Sequence, residues 1–273
     1  MINETIKLKD FYKNINSESK LVTYCPDNFE EFSTGRKRKA ILIIPGGGYE
    51  FTSQREAEPI ALAFLGHDIA TFVLEYTIGE FEFPKPIDET FAAILYIRQN
   101  AEKYHVDANK ISLMGFSAGG HLAASTTMLM EDNYFSNLLN CKQEELKING
   151  LLLGYPVITM DPNFTHAGTA RCRTHGNKEM IEKFSIEKHV TNKFPKTFIF
   201  LTSEDNAVPP ENSLRFASEL VKHHIPVELH MYPEGGHGLA LGNEITNWHK
   251  EDKVYKDVET WIYHALEFVK EKI

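Results

Sequence analysis

A serine in a glycine-flanked turn is the first residue whose setting predicts chemistry. The stretch "GFSAGG" at 115–120 follows the apolar run "KISLM" and precedes "HLAASTTMLM", which has a helical composition. A strand, a G-x-S-x-G turn and a helix in this order expose the serine hydroxyl at the end of a sheet, in front of a helix N-terminus. Ser117 is therefore the predicted nucleophile. The alternative is an incidental serine in a tight turn.

A serine nucleophile needs a base to take its proton and a third group to orient that base. Asp205 follows the apolar run "KTFIFLTS", and His237 lies among glycines in "YPEGGHGLA", just after "VELHMY". Open α/β sheets carry their sites at the carboxyl ends of strands, where both residues would lie. We predict Asp205 as the acid, with Glu204 as its neighbouring competitor, and His237 as the base.

A run of three glycines is the candidate for binding a developing negative charge. "IIPGGGYE" ends a buried-looking strand, and backbone N–H groups at Gly46–Gly48 can approach a substrate closely because no Cβ intrudes. The N–H of Ala118 is the second predicted donor. The Gly-Lys-Ser/Thr ending of a phosphate-binding loop is missing. Tyr49, directly after the glycines, is a candidate substrate contact.

The stretch "HAGTARCRTH" holds a second group of reactive side chains. His166, Cys172 and His175 could each bind zinc, but their spacing fits no common metal pattern and no fourth ligand is evident. No metal site is therefore predicted. Arg171 and Arg173 in the same stretch are predicted to contact substrate or to belong to a lid.

Apolar runs alternate with helical patterns along the chain, and this alternation must position these residues. Several runs are continuous in Ile, Leu, Val and Phe, as expected for strands covered on both faces. Repetition of strand and helix predicts a mostly parallel central sheet flanked by helices, an α/β fold. The predicted strands are 40–45, 68–76, 110–115, 148–156, 196–203 and 227–232, and the predicted helices are 56–66, 86–104, 120–130, 211–224 and 252–273.

One polar, loop-rich region interrupts this alternation. Residues 157–195 form a longer connection than a simple crossover needs, and long connections in compact domains are often functional lids. The stretch 131–147 before it is a candidate part of the same structure. We predict a single domain over 1–273 with a small cap or lid insertion at about 131–195.

Composition excludes several classes of protein. The 273 residues carry a net charge of −9, which argues against binding nucleic acid. No stretch of about 18 apolar residues predicts a membrane span, and the first residues do not have the pattern of a signal peptide. The three cysteines are far apart, unlike a disulfide framework. A reduced, cytoplasmic setting is the expectation.

The motifs "PGGGY", "GFSAGGHLA", "SEDNAVPPENS" and "GGHG", in this order, resemble the α/β-hydrolase esterases. Within them the chain most closely resembles the acetyl-xylan-esterase and sugar-ester-hydrolase branch, near the hormone-sensitive-lipase-like and feruloyl-esterase-like groups. It departs at Pro45, where the lipase-like group has histidine, and at Glu75, where many relatives have asparagine. The resemblance implies an α/β-hydrolase fold without a cofactor. It also implies Ser117 as nucleophile, Asp205 as acid, His237 as base, and Gly47, Gly48 and Ala118 as oxyanion-hole donors.

The expected activity is hydrolysis of short acyl esters, acetyl above all, on a carbohydrate. The expected partner is a small-molecule ester such as an acetylated oligosaccharide, with no nucleic acid or membrane, and the resemblance implies a possible homo-oligomer. Two alternatives stay open: a peptidase or dienelactone-type hydrolase, and a catalytically inactive binding protein on the same fold.

Overall fold

A central sheet organises the computed structural model, which describes residues 1–82, 84–247 and 253–273. Among these residues the sheet has eight strands in the order β1-β2-β4-β3-β5-β6-β7-β8. The strands are β1 (Thr5–Lys7), β2 (Lys20–Tyr24), β3 (Arg38–Ile44), β4 (Ala70–Glu75), β5 (Val106–Phe116), β6 (Gly150–Gly154), β7 (Lys196–Thr202) and β8 (Val227–Tyr232).

Strands β3 to β8 pair in parallel, whereas β1 and β2 pair antiparallel. Parallel strands share the edge at which they end. The loops that follow β3, β5, β7 and β8 therefore meet, and these loops carry the glycine run, Ser117, Asp205 and His237. The predicted mostly parallel sheet is confirmed. Sequence analysis missed β1 and β2, which are short and of mixed polarity.

Helices cover both faces of the sheet, which explains why the central strands are apolar throughout. One core layer joins the sheet to α2, α3 and α7, and the other joins it to α1 and α9. The described helices are α1 (Glu58–Leu65), α2 (Lys85–Gln99), α3 (Ala118–Met128), α4 (Asn133–Leu139), α5 (Ala167–Thr174), α6 (Lys178–Lys183), α7 (Glu211–Lys222), α8 (Lys256–Glu259) and α9 (Trp261–Glu267), which continues as a π-helical segment (Phe268–Lys272). Residue 252 of the last predicted helix lies outside the described residues.

The predicted insertion at 131–195 is not one segment, because β6 of the central sheet runs through it. The part before β6 packs against α2: the Phe135 and Phe91 rings lie 4.5 Å apart, and the Arg98 guanidinium donates to the Lys147 carbonyl at 2.6 Å. Only 157–195 begins at the carboxyl end of a strand, where the site lies. Within the described ranges, every helix is too short or too polar to span a membrane.

Candidate active site

Ser117 occupies a sharp turn between the end of β5 and the start of α3. Its φ of 52° and ψ of −120° lie outside the regions that side chains prefer, so the surrounding packing must hold this conformation. A Cβ at Gly115 would lie 2.3 Å from the Gly119 carbonyl oxygen, and one at Gly119 would lie 2.2 Å from that of Ile44. Both positions therefore require glycine, which explains the G-x-S-x-G pattern.

The structure brings the three predicted triad residues into one hydrogen-bonded chain. Ser117 Oγ lies 2.8 Å from His237 Nε2, and His237 Nδ1 lies 2.6 Å from Asp205 Oδ2. Asp205 is buried, and its Oδ1 accepts the N–H groups of Ala207 at 3.0 Å and Val208 at 2.8 Å. Because the carboxylate accepts the Nδ1 proton, Nε2 is left to accept the proton of the serine.

Glu204, the competing acid, has a different place. Its Oε2 accepts the N–H of Gly235 at 3.0 Å, and the Thr202 hydroxyl donates to the Gly235 carbonyl at 2.7 Å. Glu204 therefore fixes the loop that leads to His237, whereas Asp205 bonds to the imidazole itself. The geometry therefore favours Asp205 over Glu204 as the acid.

A buried carboxylate that sequence analysis missed connects the glycine loop to the histidine loop. Glu56 accepts the N–H of Gly46 and the hydroxyl of Tyr155, both at 2.8 Å. The Tyr155 hydroxyl in turn accepts the N–H of Ala240 at 2.9 Å, and its ring packs edge-on against His237, with centroids 5.1 Å apart. Burial and the Glu56 carboxylate raise the pKa of Tyr155 well above its usual value, so the hydroxyl remains a donor.

The three predicted oxyanion-hole donors line the turn on either side of Ser117. Gly47 has a φ of 125°, and a Cβ there would lie 2.0 Å from the Phe51 carbonyl oxygen, so the position requires glycine. Ala118 begins α3, where backbone N–H groups have no acceptor within the helix. Across the described residues, no acceptor bonds to the N–H of Gly47, Gly48 or Ala118. The oxyanion-hole role of these three N–H groups remains a prediction.

The structure corrects the prediction that Tyr49 and Arg173 contact the substrate, because both side chains are buried. Tyr49 is fully buried and donates its hydroxyl to His121 Nδ1 at 3.1 Å. Arg173 is also buried, with its guanidinium carbon 4.2 Å from the centroid of the Phe184 ring. Burial, together with Arg173, lowers the pKa of His121 to about 3, which keeps the imidazole neutral beside this cation. Neither Tyr49 nor Arg173 lines the cleft that contains Ser117.

The triad opens into a cleft of about 330 Å³. The polar side chains of Ser117, His237, Glu50, Ser53 and His166 line it beside Gly48, and most of the remaining lining surface is apolar. Arg171, the third predicted contact, is exposed and forms an ion pair with Glu50 at the mouth of the cleft. The structure therefore places Arg171 at the rim of the site rather than inside it.

The predicted absence of a metal remains a prediction. Of the side chains that the structure describes, one group has ligand atoms near enough to hold an ion: Glu228, His230 and His264. None of the three lines the cleft. The two imidazole rings stack with centroids 4.2 Å apart and 16° between their planes. Because a ring nitrogen binds a metal in the plane of its ring, two such nearly parallel rings cannot share one ion as they stand.

Comparison with known proteins identifies the family. The BD-FAE family model matches residues 27–220, most of the chain. The chain belongs to the BD-FAE family. An acetylxylan esterase of Xylanibacter ruminicola is 27% identical over 93% of the chain and 50% of its own length. Endo-1,4-beta-xylanase B of Butyrivibrio fibrisolvens is 37% identical over 76% of the chain and 33% of its own length. This BD-FAE chain therefore spans a third to a half of these curated relatives.

Solved structures resemble this BD-FAE chain over its whole length. An acetyl ester-xyloside bifunctional hydrolase from Caldicellulosiruptor lactoaceticus has 30% identity and a TM-score of 0.83, covering 98% of the chain and 96% of its own. A carboxylesterase from Lactobacillus plantarum has 28% identity and a TM-score of 0.87, covering 100% of the chain and 98% of its own. The predicted α/β-hydrolase fold and the resemblance to its esterases are confirmed, and the prediction of a carboxylic ester hydrolase agrees with these relatives.

Proposed function

We propose that this chain hydrolyses short acyl esters, acetyl above all, carried on a carbohydrate. The observation that carries the proposal is the hydrogen-bonded chain of Ser117, His237 and Asp205, of which Ser117 and His237 line an open cleft. The acetylxylan esterase and the acetyl ester-xyloside hydrolase among its relatives support the choice of acyl group and acceptor.

In the acylation step, Ser117 Oγ attacks the ester carbonyl carbon while its proton passes to His237 Nε2. Asp205 stabilises the imidazolium that forms and keeps the ring oriented. The N–H groups of Gly47, Gly48 and Ala118 are the proposed donors to the oxyanion; in other enzymes a single such donor contributes on the order of 10²–10³-fold in rate. His237 then protonates the leaving alcohol, a hydroxyl of the sugar, and the acyl group remains on the serine.

Deacylation uses the same groups, with water as the nucleophile and Ser117 as the leaving group. His237 takes a proton from water, the resulting hydroxide attacks the acyl-serine carbonyl, and the proton returns to Ser117 Oγ as the acid leaves. No cofactor is required by these steps. Water has access because the cleft is open to solvent.

The wall of the cleft supports a short acyl group and a polar acceptor. A long acyl chain gains roughly 0.8 kcal/mol for each CH₂ that becomes buried, which needs an apolar pocket. Here the largest apolar side chain in the wall is Phe51, and it is more than half exposed. Glu50, Ser53 and His166 are instead suited to bonding with hydroxyl groups.

A series of p-nitrophenyl esters from acetyl to dodecanoyl tests the proposed acyl length. We expect kcat/KM to fall steadily as the acyl chain lengthens, because Phe51, the largest apolar side chain in the wall, is more than half exposed and would leave much of a long chain in water. Acetylated xylooligosaccharides should be better substrates than simple alkyl acetates. An optimum at octanoyl or longer would contradict the carbohydrate ester proposal and favour a lipid esterase with the same triad.

The setting of the protein is also part of the proposal. A cytoplasmic location is supported by Cys25, Cys141 and Cys172, which are all free thiols. The net charge of −9 supports the absence of a nucleic-acid partner. A homo-oligomer is implied by the resemblance, and size-exclusion chromatography with light scattering would test it.

A further inference from the structure

His166 stands at the rim of the cleft, across from the triad, and also begins a helix. It is the N-cap residue of α5, in the segment 157–195. Its Nδ1 accepts the backbone N–H of Thr169 at 3.2 Å, and the hydroxyl of the same threonine lies 3.1 Å away. Histidine is not one of the usual N-cap residues, which are serine, threonine, aspartate and asparagine.

The cap bond fixes which ring nitrogen carries the proton. A backbone N–H can only donate, so Nδ1 must accept and the proton of a neutral ring lies on Nε2. Burial lowers the pKa of His166, and the nearby His237 lowers it further, so the ring is neutral at pH 7. In the part of the chain that the structure covers, Nε2 has no hydrogen-bond partner. His166 therefore presents one N–H donor at the cleft.

A carboxylate lies near this imidazole ring. A Cβ at Gly168 would meet both side chains, at 3.0 Å from His166 Cε1 and 3.7 Å from Glu50 Oε1. Glu50 and His166 both line the cleft together with Ser117. Glu50 Oε1 pairs with Arg171, which holds the carboxylate at this side of the cleft, and Oε2 is the acceptor that it offers near the His166 ring.

We propose that His166 and Glu50 form a donor–acceptor pair that binds hydroxyl groups of the sugar bearing the ester, and so determine the preference for carbohydrate acetates. This inference rests on the proposed function. A sugar hydroxyl donates through its proton and accepts through its oxygen, so neighbouring hydroxyls match one N–H and one carboxylate side by side. Aryl and simple alkyl acetates lack such groups and cannot use the pair.

The variant His166→Asn separates the two roles of the side chain. Asparagine is among the best N-cap residues, so it can replace Nδ1 as acceptor for the Thr169 N–H, but it has no atom at the place of Nε2. We expect its Tm to match the wild type. The ratio of kcat/KM for acetylated xylooligosaccharides to kcat/KM for p-nitrophenyl acetate should fall roughly tenfold. Glu50→Ala should lower the same ratio.

Asn177→Ala is the matched control. Asn177 caps α6 in the same segment, accepts the N–H of Glu179 at 2.8 Å and does not line the cleft. Loss of this helix cap should lower the Tm and leave the ratio of the two kcat/KM values unchanged. If Asn177→Ala lowers the ratio as much as His166→Asn does, the effect comes from the segment rather than from the donor, and the inference is wrong.

Other outcomes distinguish this inference from the proposed function. A wild type that cleaves acetylated xylooligosaccharides, with an unchanged ratio in His166→Asn, overturns the inference alone. A wild type that cleaves p-nitrophenyl acetate but no carbohydrate acetate overturns both the inference and the proposed acceptor. A wild type inactive on all esters overturns the proposed function as a whole.

Discussion

The two walls of the cleft are built differently. The triad wall (Ser117, Asp205, His237 and Glu56) consists of buried or half-buried groups, and Asp205 and Glu56 are 4% and 3% exposed. The rim wall (Glu50, His166 and Arg171) is more open, with the side chains of Glu50 and Arg171 50% and 71% exposed. The difference fits the proposed division of labour, in which the triad wall fixes the geometry of the reaction and the rim wall selects the alcohol that carries the acyl group.

Energetics favour this division. An exposed ion pair such as Glu50–Arg171 contributes about 0–1 kcal/mol to stability, so the rim can change its side chains at little cost to the fold. A buried polar group that loses its partner costs about 1–3 kcal/mol. Substitutions in the triad wall should therefore reduce the rate and often the stability, whereas substitutions in the rim wall should change selectivity.

Asp205→Asn is the variant expected to have the largest effect on the rate. The N–H groups of Ala207 and Val208 should keep the amide oxygen in the place of Oδ1, which turns the amide NH₂ towards His237. The imidazole would then carry its proton on Nε2 and could not accept the proton of Ser117. We expect kcat to fall by about 10⁴ at neutral pH, as for the equivalent change in a protease triad.

Glu204→Gln is its control, because Glu204 bonds only to the loop before His237. It should cost much less activity than Asp205→Asn, as measured by kcat on p-nitrophenyl acetate. If Asp205→Asn leaves kcat nearly unchanged and Glu204→Gln lowers it strongly, the acid has been assigned to the wrong residue.

Tyr155→Phe tests whether the triad wall depends on the Glu56 connection. The change removes the hydroxyl between Glu56 and the Ala240 N–H, leaving two buried groups without this partner. We expect kcat to fall on the order of 10- to 10²-fold, because a small displacement of the histidine loop is enough to misalign His237. KM should change less than kcat, since neither Tyr155 nor Ala240 lines the cleft.

Tyr104→Phe is the matched control for Tyr155→Phe, because it also removes a buried tyrosine hydroxyl but does so far from the site. The Tyr104 hydroxyl bonds with Tyr96 at 3.3 Å and with Glu4 at 3.1 Å, away from the cleft. Both variants should lower the Tm, and only Tyr155→Phe should lower kcat. Equal losses of kcat in the two would mean that Tyr155 acts only through overall stability.

The triad could be predicted because each residue follows an apolar run and is marked by its neighbours: glycines around Ser117 and His237, a polar turn after Asp205. Glu56 could not, because its partners Gly46 and Tyr155 lie 10 and 99 positions away in the chain. Nothing in the sequence distinguishes it from Glu58, which accepts the hydroxyl of Tyr24 at the end of β2.

The predictions for Tyr49 and Arg173 failed for a related reason. Both were inferred from their nearness in sequence to motifs, and burial is not visible in sequence. Tyr49 has a φ of 64°, and its ring lies in the core against Tyr76 rather than in the cleft. The sequence singled out His166 and Arg171 of the rim wall, but it gave no sign that Glu50 lies near them, because that arrangement depends on the folded cleft.

Mass spectrometry of the acylated protein tests the central claim most directly. Rapid acid quenching during turnover of p-nitrophenyl acetate should trap one acetyl group on the peptide that contains Ser117, because the triad wall transfers the acyl group to this hydroxyl first. Ser117→Ala should show no such adduct, keep its fold by circular dichroism, and lose on the order of 10³-fold or more in kcat. An adduct on another residue, or a folded Ser117→Ala within tenfold of wild-type activity, would contradict the account.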